Sequence, residues 1–579
     1  MHRFTEGKKR REEINASFCK MEEKIKLRLS NNFYTKDSIE EALSDFSDVC
    51  DGEIISDEYE VVLSPKVSVQ NLKEEFMNYV FALLKNSPDK MEALNFESED
   101  SHLNYQGKQI KNFSRSKKLD DKYLVVDDFG NWVFLSKEEY DSYRKGDYEA
   151  NNGLSEKLNN NFISLNPDNI NKCIDAVSQK KSFLTQGAGL HIVVLTKRCN
   201  LSCSYCQASA KVDQNEEYDM DISTAKKVVD RIFESPNKNI MIEFQGGEPL
   251  LNFETLRFIV EYANNKNLTA KKNLNMSLVT NLTLMDNEKL NFLIDNYVSL
   301  CTSLDGPEKI HNSCRQEYSK VSEWVHKIQD VLRNPSAEGK FLNKINALFT
   351  ATKYSIGNHK EIVDEYINHG FSRIFVRQMN ELGYGEKQKS LQPSVDEFID
   401  FWKKTLDYII EINKKGTFFV EWKTLIILKK LFDCYDPNYT ELRSPCGAVI
   451  GQLAYNYDGK VFTCDEGRMI DDDVFNLGTV DESYNSLTTN ECACNMIASS
   501  TNDTLFCDKC VYKPFCGVCP VLNYSINGSI INNIPSSSWC KIHKAQFDYI
   551  FEKLSKDEDV KEIFIGWLKK SSKEEKIHY

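Results

Sequence analysis

No stretch of this chain approaches the roughly 18 unbroken apolar residues that a membrane-spanning helix needs. The N-terminus, MHRFTEGKKRREEINASF, carries charge but no apolar segment behind it. That excludes a secretory signal and makes a cytoplasmic location the expectation, with no membrane partner. Positive charge is also in deficit. The 73 Lys and Arg face 87 Asp and Glu, leaving a net charge of −14. Such a balance argues against a broad affinity for nucleic-acid phosphate. No repeat of solenoid length is visible.

What the chain does have is cysteine. There are 18 in 579 residues, in an otherwise ordinary soluble composition with 41% hydrophobic and 28% charged residues. In a reducing compartment, clustered cysteines bind metal or do chemistry more often than they pair as disulfides. Cys19, Cys50, Cys173, Cys301 and Cys314, and Cys434 where it is not a ligand, read as small buried apolar residues.

The length suits roughly four domain-sized units. Residues 1–105 read as a small α+β unit. Ile39, Leu43 and Phe46 share one helical face, EYEVVLS is a strand, and residues 69–86 form a second amphipathic helix. Residues 110–185 come next as a hairpin plus helix. Two β-rich runs flank Asp128-Phe129-Gly130-Asn131, and Ser136 with Glu139 makes a capping box. This unit is either a peptide-recognition element that adds a strand at its edge, or a packing extension of the α/β domain behind it. From 186 to 400, six short apolar runs alternate with helical patterns: LHIVVLT, IMIEFQ, MSLVTN, VSLCTSLD, KINALFTATK and RIFVRQM. The fold class is therefore α/β, a partial (β/α)6 barrel resembling a TIM barrel. Polar motifs directly follow the strands, where such folds place their active sites. A helical linker (401–440), a cysteine-rich domain (441–545) and a C-terminal helix and tail (546–579) complete the chain.

The first polar motif, LTKRCNLSCSYCQASA, spaces Cys199, Cys203 and Cys206 as C-x3-C-x2-C. A structural zinc site takes four ligands. A cubane [4Fe–4S] cluster also usually takes four cysteines, so three leave one iron open to a small molecule. Tyr205, between the second and third cysteines, can cover such a cluster.

These residues resemble the radical S-adenosylmethionine enzymes. In that family the open iron binds S-adenosylmethionine, and one-electron reduction yields a 5′-deoxyadenosyl radical. Gln245-Gly246-Gly247-Glu248-Pro249 resembles the family's GGEP element, which holds the methionyl amine. Thr280-Asn281 resembles its polar third-strand end. SLDGPEKIHNSCR is similar to a segment of peptide-modifying members, in which Ser303 and Asp305 end the strand and Arg315 pairs with the methionyl carboxylate. His311 reads equally as a structural hydrogen-bonding residue, and Arg377 as a pocket residue or an ion-pair partner.

The second cysteine group resembles the SPASM domain, which commonly carries two auxiliary [4Fe–4S] clusters. By motif position, Cys507, Cys510, Cys516 and Cys540 ligate the distal cluster, and Cys446, Cys464 and Cys519 the proximal one. The chain departs from the pattern in two places. Gln452 stands where some members have a fourth proximal cysteine, and one spacing is x2 in place of x3. The proximal cluster is then either three-cysteine with an open iron, or completed by Cys434, Cys492 or Cys494. Asp465 follows Cys464, and in the related sulfatase-maturing enzymes an aspartate there acts as base on the substrate. The alternative is a carboxylate that hydrogen-bonds backbone beside the cluster.

The chain looks most like the His-Xaa-Ser system radical SAM maturases, with an accessory-like domain fused in front. The resemblance implies an oxidoreductase that crosslinks or oxidises a side chain of a ribosomally made peptide or small protein. It also implies a flavodoxin, ferredoxin or reductase as electron donor. The rivals are a SPASM enzyme acting on a small molecule or a sulfatase, and a non-catalytic zinc or Fe–S binding protein.

Overall fold

The computed structural model describes residues 25–28, 36–55, 60–66, 76, 110–148, 152–166, 169–212, 215–333, 345–433, 435–470, 472–531 and 537–577. Apart from Phe76, the expected helix over 69–86 lies outside the described residues, as do Cys19 and Cys434. The chain divides into two units, Met1–Lys108 and Gln109–Tyr579.

In the first unit, β1 (Ile25–Arg28), β2 (Cys50–Ile54) and β3 (Glu60–Pro65) form an antiparallel sheet in the order β1-β3-β2. Helix α1 (Lys36–Asp45) supplies Ile39 and Ala42 to a core with Val61, Leu63 and Phe76. Leu43 and Phe46 pack at its rim, so the periodicity at 39, 43 and 46 did mark the buried face.

The second unit opens with an antiparallel sheet of β4 (Ser114–Leu119), β5 (Lys122–Asp127) and β6 (Trp132–Leu135). Buried Asp127 accepts the amides of Phe129 and Asn131 at 2.9 Å each, which shapes the β5–β6 turn. Ser136 and Glu139 form the capping box that starts α2 (Lys137–Lys145). Trp132 donates its indole N–H to Leu431 O at 3.0 Å and stacks edge-on with Phe551 at 5.3 Å. One face of this unit therefore serves packing.

The centre is a nine-stranded sheet. Its parallel part runs β7 (Leu190–Thr196), β8 (Asn239–Gly246), β9 (Asn273–Thr280), β10 (Val298–Ser303), β11 (Asn346–Ala351) and β12 (Val376–Gln378). Ile192, Val193, Val194 and Leu195 are all buried. That is the unbroken apolar run expected of a parallel strand covered on both faces. Burying each such side chain contributes about 1.5–3 kcal/mol. Helices α3 (Ile222–Glu234), α4 (Phe253–Ala270), α5 (Asn287–Asp295), α6 (Glu308–Cys314), α7 (Tyr318–Arg333) and α8 (His359–Asn368) fill the crossovers. The sixth run is broken: Arg373–Ile374 pairs with Val420–Glu421 outside the main sheet, and only Val376–Gln378 joins it.

The cysteine-rich region is not appended as a separate layer. Its strand β13 (Gln452–Tyr455) pairs in parallel with β7, Gln452 opposite Leu190. Antiparallel β14 (Lys460–Phe462) and β15 (Asn476–Thr479) extend the edge. Helices α9 (Val395–Lys414), α10 (Trp422–Phe432), α13 (Ser538–Lys556) and α14 (Glu558–Ile577) pack together behind the barrel.

Candidate functional site

The loop that follows β7 carries Cys199, Cys203 and Cys206. Backbone bonds fold it back on itself: Cys199 N donates to Lys211 O at 2.8 Å and Cys206 N to Cys203 O at 3.2 Å. Arg198 anchors its start through Asp219, with Nε at 2.8 Å from Oδ1, and Thr196 also donates to that carboxylate. Burial pushes the Cys199 thiol up to about 12 and raises that of Cys203, against which the Arg315 guanidinium acts. Buried thiols of this kind gain most from a positively charged partner, which favours the thiolate.

The Gly246–Pro249 turn braces this loop. β8 slips register against β7 between Gln245 and Gly246. The turn then lies so close to the loop's entry that a Cβ on Gly247 would fall 2.1 Å from Arg198 O, and one on Gly246 2.3 Å from Thr196 O. Here glycine admits the chain's own carbonyls. Glu248 is fully buried, and its side chain faces inward. Oε1 accepts from Thr280 Oγ1 at 2.7 Å and Leu250 N at 3.0 Å, and Oε2 from Asn281 N at 2.8 Å. Burial raises its pKa and these donors oppose the shift. Asn281 in turn donates to Asn200 Oδ1 at 3.0 Å and lies 4.0 Å from Cys199 Sγ. Buried Pro249 opens the short 3-10 turn after the glutamate.

On the other side, Asp305 gathers the loop. It is 2% exposed and accepts from the Tyr205 hydroxyl, from Arg315 Nε at 2.8 Å and from Thr350 N at 3.1 Å. The Arg315 guanidinium also lies 5.0 Å over the Tyr205 ring. Tyr205 thus ties the loop to Asp305, just past the end of β10. His311 is buried, accepts from Asp305 N at 3.4 Å and bonds Gln316 O at 3.2 Å. Burial lowers it to about 4, so it is a neutral hydrogen-bonding residue. Ser303 ends β10 half-buried.

The C-terminal cysteines fall into two groups. Cys446, Cys464 and Cys519 line one cavity together with Glu441, Gln452 and Glu466. Around Cys516 the thiols of Cys510, Cys540 and Cys507 are the neighbouring charges, so these four form the second group. Cys492 and Cys494, on α12 (Glu491–Ser499), line neither: Cys492 donates to Val474 O at 3.1 Å, and Cys494 is exposed.

Asp465 opens α11 (Asp465–Ile470) and is buried. Arg468 Nε donates to it at 2.7 Å, while Arg468 NH2 donates to Gln245 Oε1 at 3.0 Å. The carboxylate is thereby tied to β8. Half-buried Arg377 feels the negative charges of Glu441, Glu466 and Asp465. The roles of Arg468, Asp219 and Glu466 escape sequence reading. The two acidic residues after Cys464 were the one visible signal for Glu466.

The first strand of the parallel sheet thus ends in a loop carrying three cysteines, braced by a glycine–glycine–glutamate turn. Residues 193–337 match the Radical SAM superfamily. The chain thus carries a radical SAM domain, and the cofactors of that family are a [4Fe–4S] cluster and S-adenosylmethionine. It is 23% identical over 355 residues to the radical SAM cyclopropyl synthase TigE of Paramaledivibacter caminithermalis, covering 58% of this chain and 71% of that protein. With a cysteine-type anaerobic sulfatase-maturating enzyme of Clostridium perfringens it shares 26% identity over 374 residues, 62% of this chain and 94% of that one. Among solved structures it is similar in fold to anSMEcpe with bound AdoMet (TM-score 0.54, 21% identity, 66% of this chain and 98% of that one). No helix among the described residues is long and apolar enough to cross a membrane.

Proposed function

We propose that the chain modifies a side chain of a ribosomally made peptide or small partner protein, producing a crosslink or an oxidised side chain. Cys199, Cys203 and Cys206 would hold the catalytic cluster, and two auxiliary clusters would sit on Cys446, Cys464 and Cys519 and on Cys507, Cys510, Cys516 and Cys540. When bound, the catalytic cluster and S-adenosylmethionine supply a 5′-deoxyadenosyl radical that takes a hydrogen atom from the substrate.

The chain's own residues then have separable tasks. Glu248 sets the position of Asn281 by accepting its backbone N–H, and Asn281 faces the Cys199 thiol. Gly246 and Gly247 keep the loop's entry against the second strand. Tyr205, Asp305 and Arg315 fix the loop's far side. Asp465 would accept the proton that the substrate releases when its radical gives up one electron, for which an auxiliary cluster would be the acceptor, and Arg468 aims it. Asp465 carries this reading, since its carboxylate, next in the chain to Cys464, is tied through Arg468 to Gln245 at the end of β8. A flavodoxin, ferredoxin or reductase would deliver the electron.

The finer reading is a maturase of the His-Xaa-Ser type. A second reading, a sulfatase as protein substrate, draws on the sulfatase-maturating relative, 94% of whose length is matched. Anaerobic assays with the short peptides encoded beside the gene separate them. A peptide that loses a hydrogen pair, with 5′-deoxyadenosine released, supports maturation. Conversion of a sulfatase cysteine with the peptides unchanged would overturn it.

A further inference from the structure

We infer that the cavity between β12, α10 and α13 is a binding site for a carboxamide group, held by Lys423, His543 and Gln546. The inference does not depend on what the cysteines hold.

The cavity lies beside the edge strand of the parallel sheet. Val376 and Gln378 of β12, Lys423 of α10, and His543 and Gln546 of α13 line it. Tyr439 and Trp539 supply aromatic walls. Three of the polar side chains are more than nine-tenths buried: Lys423 is 5% exposed, and His543 and Gln546 are 3% each. All three leave polar atoms unmet. Among the described residues, His543 Nε2 and Gln546 Oε1 have no hydrogen-bond partner. The Lys423 ammonium, among the same residues, makes no ion pair. It lies 4.4 Å over the Tyr439 ring and 6.0 Å from that of Trp539.

The protonation of His543 is fixed by its other nitrogen. Nδ1 donates to Trp539 O at 2.8 Å, and burial keeps the ring neutral, so Nε2 presents a lone pair. The ring packs on Trp539 with centroids 4.2 Å apart, which holds that lone pair in place. Buried polar groups without partners are costly, and three around one cavity call for a ligand that meets them together.

Their needs are one acceptor, for Lys423, and two donors, for His543 Nε2 and Gln546 Oε1. A carboxylate meets the first and turns its negative oxygens on two lone pairs. An apolar group meets none. A carboxamide offers a carbonyl oxygen and, on the adjacent nitrogen, one N–H or two. The space is about 50 Å³, whereas one water needs about 10–15 Å³. It therefore admits a group larger than a single water. Peptides carry the carboxamide in two places, the main chain and the side chains of Asn and Gln.

Anaerobic crystals of the full chain, soaked in graded acetamide, N-methylacetamide or acetate, test this. An amide should appear with its oxygen on Lys423 Nζ and its nitrogen facing His543 Nε2 and Gln546. Acetamide filling the site at lower concentration than N-methylacetamide assigns it to Asn or Gln side chains, and the reverse order to a main-chain amide. Gln546→Leu should need about 3–10-fold more acetamide for equal occupancy, the worth of one hydrogen bond. The same variant should raise the thermal unfolding midpoint of the unsoaked protein, because it removes a buried group that has no partner. Acetate on Lys423 in preference to either amide, ordered water alone after all three soaks, or a lowered midpoint in Gln546→Leu would overturn the assignment.

Discussion

Gly247→Ala probes how the second strand holds the cysteine loop. The new Cβ would meet Arg198 O at 2.1 Å, Arg198 C at 2.6 Å and Lys197 O at 2.9 Å, all backbone atoms with no rotamer to yield. Either the turn or the loop entry must move. Overpacking of this kind costs about 1–3 kcal/mol. The shift also strains two backbone bonds, Gly247 N to Thr196 O and Glu248 N to Arg198 O, each 2.8 Å. Each contributes about 1 kcal/mol. The expected loss is therefore about 3–5 kcal/mol, concentrated where Cys199 leaves the strand. Thermal unfolding of the apo chain and iron content after anaerobic reconstitution read it out. The unfolding midpoint should drop, and the iron at the three-cysteine loop should be lost. Gly566→Ala is the control, because that helical position has nothing within 4 Å of an added Cβ. It should stabilise by about 0.5–1 kcal/mol. Wild-type midpoint and iron in Gly247→Ala would refute the idea that close backbone approach is what the glycine serves.

Arg315→Met leaves Asp305, 2% exposed, without its cationic partner, and should destabilise by about 3–5 kcal/mol, checked by denaturant unfolding. Asp465→Asn should release 5′-deoxyadenosine at near the wild-type rate while modified substrate falls at least about 10-fold, read by mass spectrometry; a matching fall in both would remove Asp465 from the proton-accepting step. Burial lowers His191 to about 3, with Nε2 3.1 Å from Ala188 O and Nδ1 3.2 Å from the Tyr455 hydroxyl. The unfolded chain takes up its proton near pH 6.5 and the folded chain does not. Stability should therefore hold above about pH 6.5 and fall as the pH drops below it, by up to about 1.4 kcal/mol per unit from this one ring. His191→Gln should flatten that slope in pH-dependent unfolding, and an unchanged slope would point to other groups.

The strands were legible because their apolar runs are short, β-branched and punctuated by polar motifs. The capping box at Ser136 and Glu139 was legible for the same local reason. What did not show was pairing across long separations. Gln452–Tyr455 looks like any short strand, and nothing local says that it docks beside Leu190–Val193 to join the cysteine-rich region to the barrel. The split of the sixth strand was hidden too, since Arg373–Ile374 and Val376–Gln378 read as one run. At the site, the motif spacing located the loop and the turn but not the directions of side chains. That Glu248 and the two glycines brace the loop could not be read from the spacing. Arg315 and Tyr205 are likewise committed to Asp305. The partition of seven C-terminal thiols into a three and a four is a tertiary property.

Everything else depends on the three-cysteine loop carrying a cluster at which S-adenosylmethionine is cleaved. Anaerobically reconstituted protein, reduced with dithionite in the presence of S-adenosylmethionine, should release 5′-deoxyadenosine, and Cys206→Ala should abolish that release. Zinc in place of iron at the loop, or reduced, iron-loaded protein that leaves S-adenosylmethionine intact, would contradict it.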